Sequence, residues 1–256
     1  MTNVLAESFK VYGQDNGGPF VLVSDHAGQA IPPELDGLGL SAQERARHIG
    51  WDIGIDGVGR RLANTLPAVL IEQVYSRLVI DCNRAPGHPT SIVTQSDGTP
   101  VPRNQNLSAE DVAWREQTIL YPYHQRIRQE LDARVAQGRQ VVVVALHSFT
   151  PVMRGVQRPW HVGLLHNHDP RLAHIMIDLL RAEGLVVGDN EPYALTDTSD
   201  YTIPIHGEQR ALPHIEIEIR QDLIAHPDGQ AEWAERLARL LPRAWQIFCT
   251  RYEQRS

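Results

Sequence analysis

The feature that most constrains this chain is an alternation. Short apolar runs, each ending abruptly in polar residues, are separated by stretches with helical spacing. Phe20-Val-Leu-Val-Ser24 stops at Asp25-His26-Ala27-Gly28, as a buried strand does where it delivers polar residues to a sheet edge, and it reads as the first core strand. Ser41-Ala-Gln-Glu44 has capping-box spacing and predicts the start of a short helix. Asp52 to Leu66 carries apolar residues at Ile55, Val58 and Leu62, a helix closed by Pro67. Ala68 to Val74 and Leu78 to Ile80 read as strands, followed by a Pro/Gly/Asn-rich loop from Asn83 to Asn106, long for a compact domain. Ser108 caps a helix running to about Gln137, stopped by Gly138 and kinked or broken at Pro122. Gln140 to Leu146 and Trp160 to Leu165 read as strands, Asp169-Pro170 opens a helix to Glu183, and Gly184 ends it before a strand at Leu185 to Val187. After a loop from Gly188 to Pro213, His214 to Arg220 alternates strictly, and Asp228 to Arg251 is an amphipathic helix. Strands alternating with helices predict an α/β fold: a three-layer αβα sandwich around a mixed, largely parallel sheet. With no internal repeat or linker, residues 1–256 are expected to form one domain.

Charge and composition narrow the partners. Lys+Arg 24 against Asp+Glu 31 gives −7, and no segment concentrates basic residues enough to track a phosphate backbone, so nucleic acid is not expected. The longest strongly apolar run, Val141 to Leu146, is too short to span a bilayer, and Met1 to Gly13 lacks the pattern of a secretory leader. The expectation is a cytoplasmic protein without a membrane partner. Cys82 and Cys249 stand far apart with no CxxC spacing, against a disulfide framework or a cysteine-built zinc site. The 12 histidines are unusually many, and imidazole is the side chain best suited to bind a metal or move protons near neutrality.

In open α/β sheets, ligands collect at the carboxyl ends of strands. Three such ends are rich in polar chemistry: Ser24-Asp25-His26, His147-Ser148, and Asp81-Cys82-Asn83-Arg84. Two histidines and a carboxylate from separate strands make a zinc site with an open position. His26 and His147 fit that role, although a lone histidine after a strand is more often simply hydrogen-bonded. Asp52 fits as third ligand and equally as a helix N-cap. The strand His214-Ile-Glu-Ile-Glu-Ile-Arg220 puts its isoleucines on one face and Glu216, Glu218 and Arg220 on the other. That second face is either solvated or supplies a general base. HExxH, GxSxG and P-loop patterns are absent, and His166-Asn-His168 reads as exposed turn histidines despite its HxH spacing.

Ser24-Asp-His-Ala-Gly28 with Ile31-Pro32, then Ser76-Arg-Leu-Val-Ile-Asp-Cys-Asn-Arg84, His147-Ser-Phe-Thr-Pro151 and Asp189-Asn-Glu-Pro-Tyr193, together resemble the N-formylglutamate amidohydrolase family over nearly the whole chain. The blocks are weak singly and specific in this order. The resemblance implies a phosphorylase/hydrolase-like fold similar to the zinc carboxypeptidases, one zinc ion, and hydrolysis of N-formyl-L-glutamate to formate and L-glutamate. It implies that His26 and His147 bind the metal, that Glu218 is the general base, and that Asn83-Arg84 occupies the position of the clamp for substrate carboxylates. Arg77 and Arg154 are candidate helpers in that clamp, and Tyr193 a candidate pocket residue. One departure matters. The carboxypeptidase pattern has Glu three residues after the first zinc histidine, where this chain has Gln29, a poorer ligand. The third ligand is then expected elsewhere, at Asp52, with Asp25 and His48 as alternatives and His206 as a neighbour of the site. Two other readings share these residues: a related amidase, deacylase or carboxypeptidase-like hydrolase acting on another carboxylate substrate, and a non-catalytic member that binds a small anion or metal.

Overall fold

Phe20–Ser24 and Val142–Phe149 are buried along their whole length and lie side by side as parallel strands at the centre of the molecule. They belong to a seven-stranded mixed sheet in the computed structural model, which describes residues 7–13 and 17–253. Along the chain the strands are β1 (Phe9–Gly13), β2 (Phe20–Ser24), β3 (Val69–Gln73), β4 (Val142–Phe149), β5 (Val162–Leu165), β6 (Val187–Asp189) and β7 (His214–Arg220). Across the sheet the order is β1-β3-β2-β4-β7-β5-β6. The β1–β3 and β5–β7 pairs are antiparallel and the other four parallel.

Period-two alternation explains why both faces are covered. Leu22, Leu70, Val144, Leu146, Ile215, Ile217 and Ile219 pack on one side against Val58, Leu62, Met176, Leu180, Trp233 and Leu237. Those partners come from α2 (Ile55–Thr65), α5 (Arg171–Arg181) and α6 (Pro227–Phe248), the short α1 being Ala42–Arg45. On the opposite side Val21, Val23, Val69, Ile71, Val143 and Ala145 meet Tyr123, Ile127 and Leu131. These three come from α4 (Tyr121–Ala136), which follows α3 (Ala109–Arg115). Each fully buried aliphatic side chain contributes about 1.5–3 kcal/mol, so the two cores fix the strand ends that carry the polar residues.

Capping boxes form at Ser41/Glu44 and Ser108/Asp111. Pro122 does not break the helix after Ser108. A π-turn over Glu116–Leu120 shifts the hydrogen-bond ladder there, and the helix continues as α4. Leu78–Ile80 is a turn rather than the expected strand. All three side chains are buried, but the backbone carbonyls meet side chains in place of a sheet neighbour: Asn104 Nδ2 donates to Leu78 O at 2.8 Å and Arg115 Nη1 to Val79 O at 2.8 Å. The antiparallel edge strand β1 precedes the strand read as first, and β6 lies two residues beyond its expected position. The leader reading falls partly on Met1 to Ala6, outside the described residues. Among the described residues no helix is long and apolar enough to cross a membrane.

Candidate metal centre and active site

The turn after β2 carries His26, the end of β4 carries His147, and the segment before α2 carries Asp52, all buried. Asp52 is tied to the first by its backbone, its N–H donating to His26 O at 2.9 Å. Its carboxylate does not cap α2, whose N-cap is Gly54 at φ 82°. Instead Oδ2 accepts from Ser148 N at 3.1 Å and lies 3.0 Å from His147 Nδ1 and 3.6 Å from His26 Nδ1. The two imidazoles meet edge to face with centroids 4.9 Å apart. One donor atom from each of the three residues lies within 4.8 Å of the others.

Each far nitrogen faces a further carboxylate. His26 Nε2 bonds Asp81 Oδ1 at 2.6 Å, while Asp81 also receives Asn83 N at 2.9 Å and Arg77 Nη2 at 2.7 Å. His147 Nε2 lies 3.3 Å from Asp25 Oδ2, and Thr202 Oγ1 donates to Asp25 Oδ1 at 2.8 Å. Carboxylates behind ligating histidines orient the rings and raise their basicity. Among the described residues His26 Nδ1, on the side facing Asp52, has no hydrogen-bond partner, and neither do His147 Nε2 and Asp25 Oδ2.

Charge tells the same story. Burial opposes ionisation of Asp25, yet contact with His147 and the charge of its neighbours hold its carboxyl down at about 2. Burial likewise opposes charge on Asp52 and Asp81, which the histidines and Arg77 nevertheless hold below the usual carboxylate range. Burial would also lower His26 and His147, but facing carboxylates hold both above the ordinary histidine value. Three carboxylates against the Arg77 guanidinium leave two negative charges when the imidazoles are neutral, the charge that one divalent cation neutralises. Two Nδ1 atoms, that of His26 buried and unpartnered, and a carboxylate oxygen suit a three-ligand zinc-type site.

The group forms one wall of a cavity of about 460 Å³, the size of small-molecule sites. Glu216 and Glu218 also line it, both buried, each with Oε2 lacking a hydrogen-bond partner. Burial pushes the Glu218 carboxyl up to about 7, against the charge of His147. Arg220 turns away to Asp222 at 2.8 Å and to the Trp160 carbonyl at 3.2 Å. Arg77 lines the cavity but is engaged by Asp81 and stands 3.6 Å from Asp52 Oδ1.

Asn83 lines the cavity too, though its amide is occupied: Nδ2 donates to Asp200 at 3.0 Å and Oδ1 accepts from Tyr201 N and Thr202 N at 2.9 and 3.0 Å. Arg84 is steadied by the Asn83 carbonyl at 2.8 Å and by Thr90 Oγ1 at 3.2 Å, and faces the cavity. Arg154 sits at the tip of the hairpin Val152–Met153/Val156–Gln157, at φ 50° beside Gly155 at φ 79°. Among the described residues no carboxylate pairs with it. Tyr193 borders the cavity, its hydroxyl accepting from Arg158 Nη1 at 2.9 Å. His48 faces Asp97 at 3.5 Å, and His206 lies apart, bonded to His124 at 3.0 Å. The roles of Asp25 and Asp81 behind the histidines are not written in spacing. Their one signal is position at polar segment ends, and Thr202 and Asp200 carry none.

A largely parallel α/β sheet with a buried His-Asp-His group and a glutamate beside it defines the molecule as a hydrolase-type enzyme fold with a candidate metal centre. The family model for N-formylglutamate amidohydrolase matches residues 18–225, and the chain belongs to that family. Gene product Atu2144 from Agrobacterium tumefaciens is 36% identical, with a TM-score of 0.92, over 95% of this chain and 96% of that one. The N-formylglutamate amidohydrolase from Ralstonia eutropha JMP134 shares the fold at 21% identity, with a TM-score of 0.75, over 94% of this chain and 98% of that one. No curated protein matches the chain.

Proposed function

We propose that the chain, working as one domain, is a metal-dependent amidohydrolase that removes the formyl group from an N-formyl acidic amino acid, with N-formyl-L-glutamate as reference substrate. The observation that carries this reading is Glu218, a buried carboxyl with an unpartnered oxygen, in the same cavity as His26, Asp52 and His147. A zinc ion held by those three supplies a lowered water pKa and a polarised amide oxygen. Asp81 and Asp25 hold the two imidazoles with Nδ1 turned toward Asp52. Arg84, with Arg154 at the mouth, binds the substrate carboxylates, since guanidinium pairs with them in a bidentate way. Glu218 takes a proton from water as the water oxygen bonds to the formyl carbon. As the C–N bond breaks, Glu218 passes that proton to the leaving nitrogen, so formate and the free amino acid depart. Tyr193 and Asn83 complete the cavity lining.

Formate release from N-formyl-L-glutamate, measured alongside zinc content, tests the reading. Turnover that falls on chelation and returns with zinc supports it. A zinc-loaded protein inert toward N-formyl, N-acetyl and longer N-acyl amino acids would sink it.

A further inference from the structure

At the far edge of the sheet, away from the cavity, two histidines and a carboxylate converge on residues for which the amide chemistry has no use. His166 follows β5, Asp189 ends β6, and His174 stands in the first turns of α5. His166 Nε2 lies 2.7 Å from Asp189 Oδ1, and His174 Nε2 lies 3.7 Å from Asp189 Oδ2. The rings meet edge to face with centroids 5.0 Å apart at 82°. One donor atom from each residue lies within 4.8 Å of the other two. A simple hydrogen bond accounts for the His166–Asp189 contact. It does not account for His174, whose side chain is 55% exposed and has open solvent available.

The frame beneath the group is fixed without it. His166 N donates to Asn190 Oδ1 at 2.9 Å and Asn190 N to Leu164 O at 3.0 Å, so the ends of β5 and β6 are locked together. Two imidazole nitrogens with one carboxylate oxygen form a borderline donor set that favours zinc, nickel or copper over magnesium or calcium. The neighbouring His168, Asp197 and Glu208 also come within 4.8 Å of one another, but with one imidazole, and Glu208 Oε1 is already taken by His168 N at 2.8 Å.

We propose that His166, His174 and Asp189 form a second, peripheral site for a borderline divalent metal. The site clamps β5, α5 and the segment that leads from Asp189 to Tyr193 at the cavity. It shares no ligand with His26, Asp52 and His147, so it stands whether or not the cavity hydrolyses amides.

Metal-stripped protein titrated calorimetrically with zinc alone tests this. Wild type is expected to bind one equivalent more than His174→Ala or Asp189→Asn, while His168→Ala matches wild type. Both replaced side chains are about half exposed, so the variants keep the fold, checked by circular dichroism. A zinc-induced rise in melting temperature, measured in parallel, should shrink in the same two variants. Equal zinc stoichiometry in wild type, His174→Ala and Asp189→Asn overturns the site. So does loss of the equivalent in His168→Ala alone. Because the readout is a difference of one equivalent, it is independent of how the central site loads.

Discussion

Glu218 and His147 stand in register on neighbouring parallel strands, β7 and β4. In-register neighbours on adjacent strands put their side chains on the same face, with backbones about 4.8 Å apart. The pairing therefore places a carboxyl beside a candidate metal ligand using sheet geometry alone. Isoleucines on the reverse face of β7 anchor the strand that carries it, because Ile217 and Ile219 are completely buried.

Glu218→Gln removes the proposed proton acceptor while keeping the shape of the side chain. Formate release is expected to fall by about 10²–10⁴-fold, the usual worth of a general base, with zinc content unchanged. Near-normal turnover in that variant would take the role away from Glu218.

The proposed third ligand is separable from Gln29, which holds the place of the glutamate in the carboxypeptidase pattern. Asp52→Asn is expected to leave the purified protein with well under one zinc in the cavity. Gln29→Ala, at an exposed position, should leave zinc content as it is. Elemental analysis of both, compared with wild type, decides between the two positions.

In the proposed metal site Asp81 acts through His26, whose Nε2 it bonds. Asp81→Asn keeps a hydrogen-bonding atom near Nε2 but loses the charge, and the expected outcome is a 10–100-fold weaker zinc affinity with folding intact. Competition with a chromophoric chelator reads the affinity directly, and an unchanged value would mean that the 2.6 Å bond is structural.

Among the described residues Arg154 has no carboxylate partner to lose, so Arg154→Ala should leave the melting temperature unchanged. If its guanidinium holds a substrate carboxylate, KM for N-formyl-L-glutamate rises about tenfold while kcat stays within a small factor. An N-formyl amino acid with an uncharged side chain should show a smaller change if Arg154 meets the side-chain carboxylate.

His124 and His206 give a pH signature. Burial lowers both, His206 to about 3, whereas an unfolded chain titrates its histidines near 6.5. Between those values the unfolded state binds more protons, so this pair's contribution to stability is complete above about pH 6.5 and is lost as pH falls toward 3. Thermal melts from pH 7.5 to 5 should show a shallower decline for His206→Gln than for wild type. Parallel curves would mean that the pair does not govern this window.

The central strands and their polar ends were legible because burial on both faces leaves an uninterrupted apolar run, as in Phe20–Val23 and Val142–Leu146. β7 matches its reading residue for residue because alternation is unambiguous where one face is apolar and the other carboxylate. Leu78–Ile80 misled for a physical reason. An apolar triplet says that side chains are buried, and it is silent on whether carbonyls meet a strand or the side chains of Asn104 and Arg115. Asp52 was ambiguous in sequence because a carboxylate just before a helix serves as a cap or as a ligand with equal ease. The contact with His147, 95 positions away, is what turns the carboxylate from the helix end to the buried histidines. Asn83 shows the converse: its position suited a substrate clamp, but its amide bridges to Asp200, Tyr201 and Thr202.

The bond from Thr202 to Asp25 spans 177 positions, and through Asp25 it touches His147. During synthesis, then, the ribosome releases the first candidate ligand long before the hydroxyl that steadies Asp25 behind His147, and Glu218 later still. A partial chain that stops before β7 lacks both Glu218 and the strand that joins β4 to β5. The cavity is complete only once β7 lies between β4 and β5 and joins the two parts of the sheet.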